Sequence, residues 1–163
     1  MLVLGPGPGI GLAAAGARSA HVIGIDPSEV MLAACRRRCA DLIEQGRVRL
    51  IRGVAEQTGQ PAGSVDVVLA VNNVHIWGDR RAAFSELHRV LGPDGRLVLS
   101  AHEKWLPGGL GALAADVERA GFEKIETWTW EPPGRGATTA AQLRARRAAT
   151  RTLVGLRDTP ESG

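Results

Sequence analysis

Two cysteines, Cys35 and Cys39, are all that 163 residues contain, too few for a disulfide framework and short of the ligand set of a structural zinc site. No apolar run reaches the ~18 residues that a membrane-spanning helix needs. Charge of one sign is also scarce in excess: 20 basic against 17 acidic residues leave +3, so a pI near 9.5 is no footprint of a polyanion partner. The first 17 residues bear no acid or base, a superficial likeness to a secretory leader, yet Pro6, Pro8 and the glycines at 5, 7, 9 and 11 break any apolar helix there. Targeting is therefore not expected, and a reducing cytoplasm suits the two thiols. With 44% apolar and 23% charged residues, the composition is that of a soluble globular chain. One domain is expected over residues 1–149, followed by a flexible tail at 150–163 with few apolar anchors.

Short β-branched runs alternate with longer helical ones, the pattern of βαβ units on a parallel sheet. Strands are expected at 2–4, 21–25, 48–52, 65–71, 96–100 and 122–130, and helices at 10–19, 26–45, 80–91 and 110–120. The run at 65–71 is nearly continuously apolar, as a strand buried on both faces would be. Residues 139–147 are ambiguous: their alanines favour helix, whereas the topology asks for a last edge strand.

VLGPGPGIG lies between the first strand and the first helix, the context in which a glycine-rich string is informative. Gly5, Gly7 and Gly9 allow positive φ and close approach of a ligand, or serve only the packing of helix on strand. Gly9, Gly11 and Ala14 also satisfy the dinucleotide pattern G-x-G-x-x-A. A pyrophosphate, however, requires aimed backbone N–H donors, and Pro6 and Pro8 have none. A cofactor without phosphates fits the loop better. Asp26, at the end of the second strand, is placed to accept from both hydroxyls of a ribose, or else to cap the next helix with Glu29 in a capping box.

VLGPGPGIG, GIDPSEVMLAAC, SVDVVLAVNNVHIW and HRVLGPDGRLVLS follow one another in the order and at the spacing of the class I S-adenosylmethionine-dependent methyltransferases. Residues 1–130 resemble the small-molecule branch of that family related to ubiquinone and menaquinone biosynthesis enzymes. The resemblance implies an α/β, Rossmann-like, doubly wound and mostly parallel sheet of order 3-2-1-4-5-7-6 with an antiparallel last strand. The helices that usually precede the first strand are missing from this sequence. It further implies S-adenosyl-L-methionine as cofactor, with Gly5, Gly7 and Gly9 along its methionine part, Asp26 on the ribose, and Ser28 and Met31 flanking ribose and adenine. Ala55 and Glu56 match the stretch beside the adenine, and Asn72 the end of the fourth strand. The chain departs from the family at Val3 and Val54, where acids are usual, so adenine recognition falls to backbone groups or to Glu56.

Methyl transfer from a sulfonium is an in-line displacement that needs alignment and dryness more than a nucleophilic side chain. His75, just past the fourth strand, is the candidate base for a hydroxyl or carbon acid, with His102 and Glu103 behind it. Asn72 and Asn73 offer donors and acceptors to an amino-acid moiety or to the acceptor, or else satisfy loop backbone, and Trp77 and Trp105 form an aromatic wall for a small-molecule acceptor or serve packing. Trp128 and Trp130 are read as structural, and Cys35 and Cys39 as core. Arg144, Arg146, Arg147 and Arg151 read as a soluble basic end and not as a nucleic-acid site. The competing functions are a nicotinamide-dependent oxidoreductase and a catalytically silent cofactor-binding module. A homodimer or a partner covering the cleft is the expected substitute for the absent helices.

Overall fold

Alternation at period two sends Leu2 and Leu4 to one side of the first strand and Val3 to the other, and two apolar layers grow from that split. The computed structural model describes residues 1–131, 133 and 138–148. Its strands are β1 (Leu2–Leu4), β2 (Val22–Asp26), β3 (Val48–Arg52), β4 (Val65–Val71), β5 (Leu91–His102), β6 (Phe122–Trp130) and β7 (Ala140–Arg147). Its helices are α1 (Ile10–Arg18), α2 (Glu29–Arg38), α3 (Ala40–Glu44), α4 (Arg80–Val90) and α5 (Gly109–Arg119). All seven strands form one sheet of order β3-β2-β1-β4-β5-β7-β6, parallel from β3 to β5, with β7 antiparallel to both of its neighbours. Leu12 of α1 and Cys35 of α2 pack with Val3, Val22 and Val48 on one face. Phe84 and Leu87 of α4 and Leu113 and Val117 of α5 pack with Leu2, Leu4, Leu97 and Leu99 on the other. This is the α/β, doubly wound sheet anticipated from the sequence.

Several local expectations are corrected. The helix expected over 26–45 does not start at Asp26, which is the last residue of β2; Ser28 caps α2 by accepting from the Met31 N–H at 3.4 Å. Cys39, at φ −106° and ψ 20°, separates α2 from α3. β5 is longer than residues 96–100 because Leu91 already pairs with Val65, across an irregularity that absorbs Gly92–Gly95. Residues 140–147 are strand, and not at the edge: Leu143 pairs with Leu99 on one side and Thr127 on the other. Burial of Ala141, Leu143 and Ala145 at period two outweighs the helix propensity of the alanines. β6 is the true edge, so Trp128 and Trp130 are 44% and 54% exposed and do not serve the core. Arg144, Arg146 and Arg147 belong to β7 and make contacts there with Glu126, the Asp94 carbonyl and the Leu91 carbonyl, so they form no free basic end. The tail expected at 150–163 lies outside the described residues. No helix among the described residues is long and apolar enough to cross a membrane.

The loop joining β3 to β4 is fastened by Glu86 of α4. Its carboxylate accepts from the Thr58 N–H at 3.0 Å and the Thr58 hydroxyl at 2.6 Å, while Arg89 donates to it at 2.7 Å and to the Gln60 carbonyl at 2.7 Å. Burial opposes the charge, but these donors outweigh it and hold the carboxyl below its ordinary range. A depressed folded-state pKa means stability that is whole above the unfolded-state value and lost as pH falls through the folded one. Glu86→Ala should therefore destabilise the fold by about 1–3 kcal/mol near neutral pH, measured by urea denaturation, with the gap to the parent protein closing in acid.

Candidate functional site

β1, β2 and β4 run in parallel and end together at Leu4, Asp26 and Val71, so the turns that leave their C-terminal ends open on one cleft. A cavity of about 590 Å³ lies there, within the ~300–1,000 Å³ of small-molecule sites. Leu4 and Gly5 form part of its wall, with Asp26, Pro27, Ser28 and Met31 from the turn into α2. Gly53–Glu56 close a second side, and Asn72, Asn73 and the stretch Ile76–Gly78 a third.

Each polar group in this wall is fixed by local geometry. Asp26 is 5% exposed, and its Oδ1 accepts from the Ser28 N–H at 2.9 Å, an Asx turn that aims the carboxylate at the strand end. Glu56 uses Oε1 to accept from the Asp79 N–H at 3.0 Å, tying the segment after β3 to the start of α4. Asn72 adopts φ +55°, and its N–H donates to the Ser100 carbonyl at 2.7 Å. A non-glycine residue held in that region at a strand end is a common mark of a functional turn. The next residue, Asn73, is buried and donates from Nδ2 to the Leu4 carbonyl at 2.6 Å and to that of Gly5 at 3.4 Å. Its Oδ1 is buried without a partner among the described residues. Gly5, at φ +53°, is obligatory, because a Cβ there would stand 2.4 Å from Asn73 Nδ2.

Of the residues expected to bind a cofactor, Gly5, Asp26, Ser28, Met31, Ala55, Glu56 and Asn72 all border this one cavity. Gly7 and Gly9 do not. Gly9 turns inward, where a Cβ would lie 3.2 Å from both Cα and Sγ of Cys35, and Gly7 offers its carbonyl to the Cys35 thiol. His75 is also outside the cavity wall; its ring tilts against Trp105 at 5.3 Å between centroids, with Nδ1 buried and without a partner among the described residues. His102 stacks edge-on with the same Trp105 at 4.3 Å and meets the Thr138 hydroxyl at 2.5 Å. The half-exposed Trp105 is thus flanked by two imidazoles at the ends of β4 and β5. Trp77 lines the cavity and packs against Phe84 at 5.4 Å, Asn73 joins Asn72 in the wall, and Ile76 and Gly78 enter it without having been assigned to the cofactor. Proximity in sequence to Asn72 was the available signal for them.

The charge of the wall is one-sided. Asp26 and Glu56 are its ionisable residues, and no lysine or arginine contributes. Two of the three N–H groups in the proline-bearing loop are also committed: Gly5 donates to Ile25 at 2.8 Å and Gly9 to Pro6 at 3.0 Å. The overlapping G-x-G-x-x-A string does not form the turn after β1, for Gly9 is the residue preceding α1, and Gly11 and Ala14 lie inside that helix. This site suits a neutral or cationic nucleoside and repels a diphosphate.

Residues 2–99 match the family model described as the methyltransferase domain. The uncharacterized methyltransferase YdaC of Bacillus subtilis is 34% identical over 117 residues, which are 67% of this chain and 62% of that protein, so this chain spans less than two thirds of that relative's length. An S-adenosylmethionine-dependent methyltransferase from Mesorhizobium loti superposes with a TM-score of 0.75 at 20% identity over 90% of each chain. A second such enzyme, from Thermotoga maritima and described as a possible histamine N-methyltransferase, superposes with a TM-score of 0.69 at 20% identity, over 90% of this chain and 81% of its own. At that identity the two structures speak for the fold. Together with the family match over most of the sheet and the geometry of the cleft, they identify this chain as a member of the class I S-adenosylmethionine-dependent methyltransferase family.

Proposed function

We propose that this protein transfers the methyl group of S-adenosylmethionine to a small-molecule acceptor. The observation that carries this reading is the wall of two carboxylates and no cation around a cavity of about 590 Å³. S-adenosylmethionine brings a sulfonium and an ammonium to such a wall, whereas NAD brings a diphosphate. When bound, the cofactor supplies an electrophilic methyl group on sulfur.

The chain's own residues bind, orient and keep out water. Asp26, its Oδ1 already steadied by Ser28, accepts from the ribose hydroxyls. Met31 and Ala55 give the apolar contact for the adenine, and Glu56 accepts from its amine. The loop beginning at Gly5 lies along the methionine part. Asn72 and the unpartnered Oδ1 of Asn73 face the amino-acid end, where a buried acceptor without a donor is satisfied by an ammonium. Trp105 offers a flat, half-exposed surface to the acceptor, and His75 beside it removes the acceptor's proton. Ile76, 72% exposed at the cavity rim, is the surface that a second copy or a partner chain would cover. The buried thiols Cys35 and Cys39 suit the reducing cytoplasm.

Calorimetric titration tests the cofactor: S-adenosylhomocysteine should bind more tightly than NAD, and the reverse order would reject this function in favour of the oxidoreductase. In the same assay Asp26→Ala should weaken S-adenosylhomocysteine by about 1.5–3 kcal/mol, the cost of losing charge-assisted hydrogen bonds. His75→Gln should lower kcat by at least about 100-fold with labelled S-adenosylmethionine and a panel of hydroxyl, amine and carbon acids, leaving the affinity for S-adenosylhomocysteine unchanged. An unchanged kcat would leave alignment alone as the source of the rate.

A further inference from the structure

The glycine loop is held from outside. Three consecutive carbonyls, those of Gly7, Pro8 and Gly9, each face a donor from the C-terminal part of α2 or the residue that follows it. The Cys35 thiol donates to Gly7 at 3.1 Å, Arg38 Nε donates to Pro8 at 2.9 Å, and the Cys39 thiol approaches Gly9 at 3.9 Å. Residues 35, 38 and 39 share one helical face, so the spacing i, i+3, i+4 matches a backbone laid across it. Contact is close: a Cβ on Gly9, at φ +88°, would stand only 3.2 Å from Cα and Sγ of Cys35. Burial, then the nearby Cys39 and Asp26, push the Cys35 thiol up, which keeps it protonated and a donor. The opposite end of α2 begins at the cavity, with Ser28 as its cap and Met31 in its first turn.

We infer that Cys35 and Arg38 are positioning residues for cofactor binding, clamping residues 7–9 to α2 so that the methionine-side loop and the nucleoside-side turn form one rigid unit. Neither residue borders the cavity, so both act through the loop. Prolines at 6 and 8 make the clamp necessary: they remove the N–H groups with which a loop would otherwise brace itself. The inference rests on the loop's lying along the methionine part, as proposed above.

The test compares two probes, S-adenosylhomocysteine, which spans both halves of the site, and 5′-methylthioadenosine, which lacks the amino-acid end. Cys35→Ala and Arg38→Met should each weaken S-adenosylhomocysteine about tenfold while 5′-methylthioadenosine changes by less than about twofold. Cys35→Ser, which keeps a donor, should restore most of the loss. Arg38 is exposed, so Arg38→Met reports on the clamp without disturbing the core even where Cys35→Ala folds poorly. Equal weakening of both probes, or of neither, overturns the clamp. Hydrogen exchange decides the matter without any ligand: amides of residues 7–12 should exchange faster in both variants, and unchanged exchange there also overturns it. A parent protein that binds neither probe would reject the cofactor assignment alone, leaving exchange to judge the clamp.

Discussion

Residues 5–9 contain five carbonyls but only three N–H groups, and this imbalance governs the site. A backbone richer in acceptors than donors cannot satisfy all of its own carbonyls, so the rest of its shape is set by the donors that surround it. Two of its own N–H groups are used at Ile25 and Pro6. The other carbonyls draw on side chains from distant parts of the chain: Asn73 after β4 for Gly5, Cys35 for Gly7, Arg38 for Pro8, and Cys39 for Gly9, whose carbonyl also takes the Ala13 N–H at 2.9 Å. Strand ends and loop are thereby knitted before any ligand arrives. The prolines also explain what the site avoids, since a backbone poor in N–H groups and flanked by two carboxylates offers a phosphate nothing to hold.

Much of this arrangement was legible in the sequence because its determinants are local. Gly5 and Asp26 stand at strand ends defined by apolar runs, and the sheet order is the one implied by the family resemblance that the four ordered segments carry. What escaped was non-local. For Asp26 the alternative to a ribose ligand was a helix cap, but cap and strand end compete for adjacent residues, and Ser28 two positions on takes the cap. Gly9 looked like ligand backbone, yet its neighbour is Cys35, a contact that only the packing of α2 over the loop creates. Residues 140–147 were undecidable from propensity because their alanines are buried by pairing on both sides, with β5 and β6, whose partnership no local pattern encodes. Backbone satisfaction was one of the roles open to Asn73, but its partner, the Leu4 carbonyl 69 positions away, is no local signal.

The proposed acceptor side is built differently from the proposed cofactor side. Buried donors and left-handed turns define the nucleoside half, whereas Trp105, His75 and His102 form an aromatic and imidazole cluster on the outer ends of β4 and β5. A rigid half that recognises a constant cofactor beside a more open half that meets the variable substrate is the division expected where one fold serves many acceptors.

The place of β7 carries a consequence for how the molecule is made. As the last strand among the described residues it lies between β5 and β6, not outside them, so two neighbours must stay apart until residues 140–147 emerge and slot in. During synthesis the parallel half of the sheet can assemble behind the ribosome, but β6 has no partner strand in the finished topology until the final insertion. Closure of the sheet is thus a late, long-range event, of the kind that slows folding and leaves strand edges temporarily open to wrong pairing.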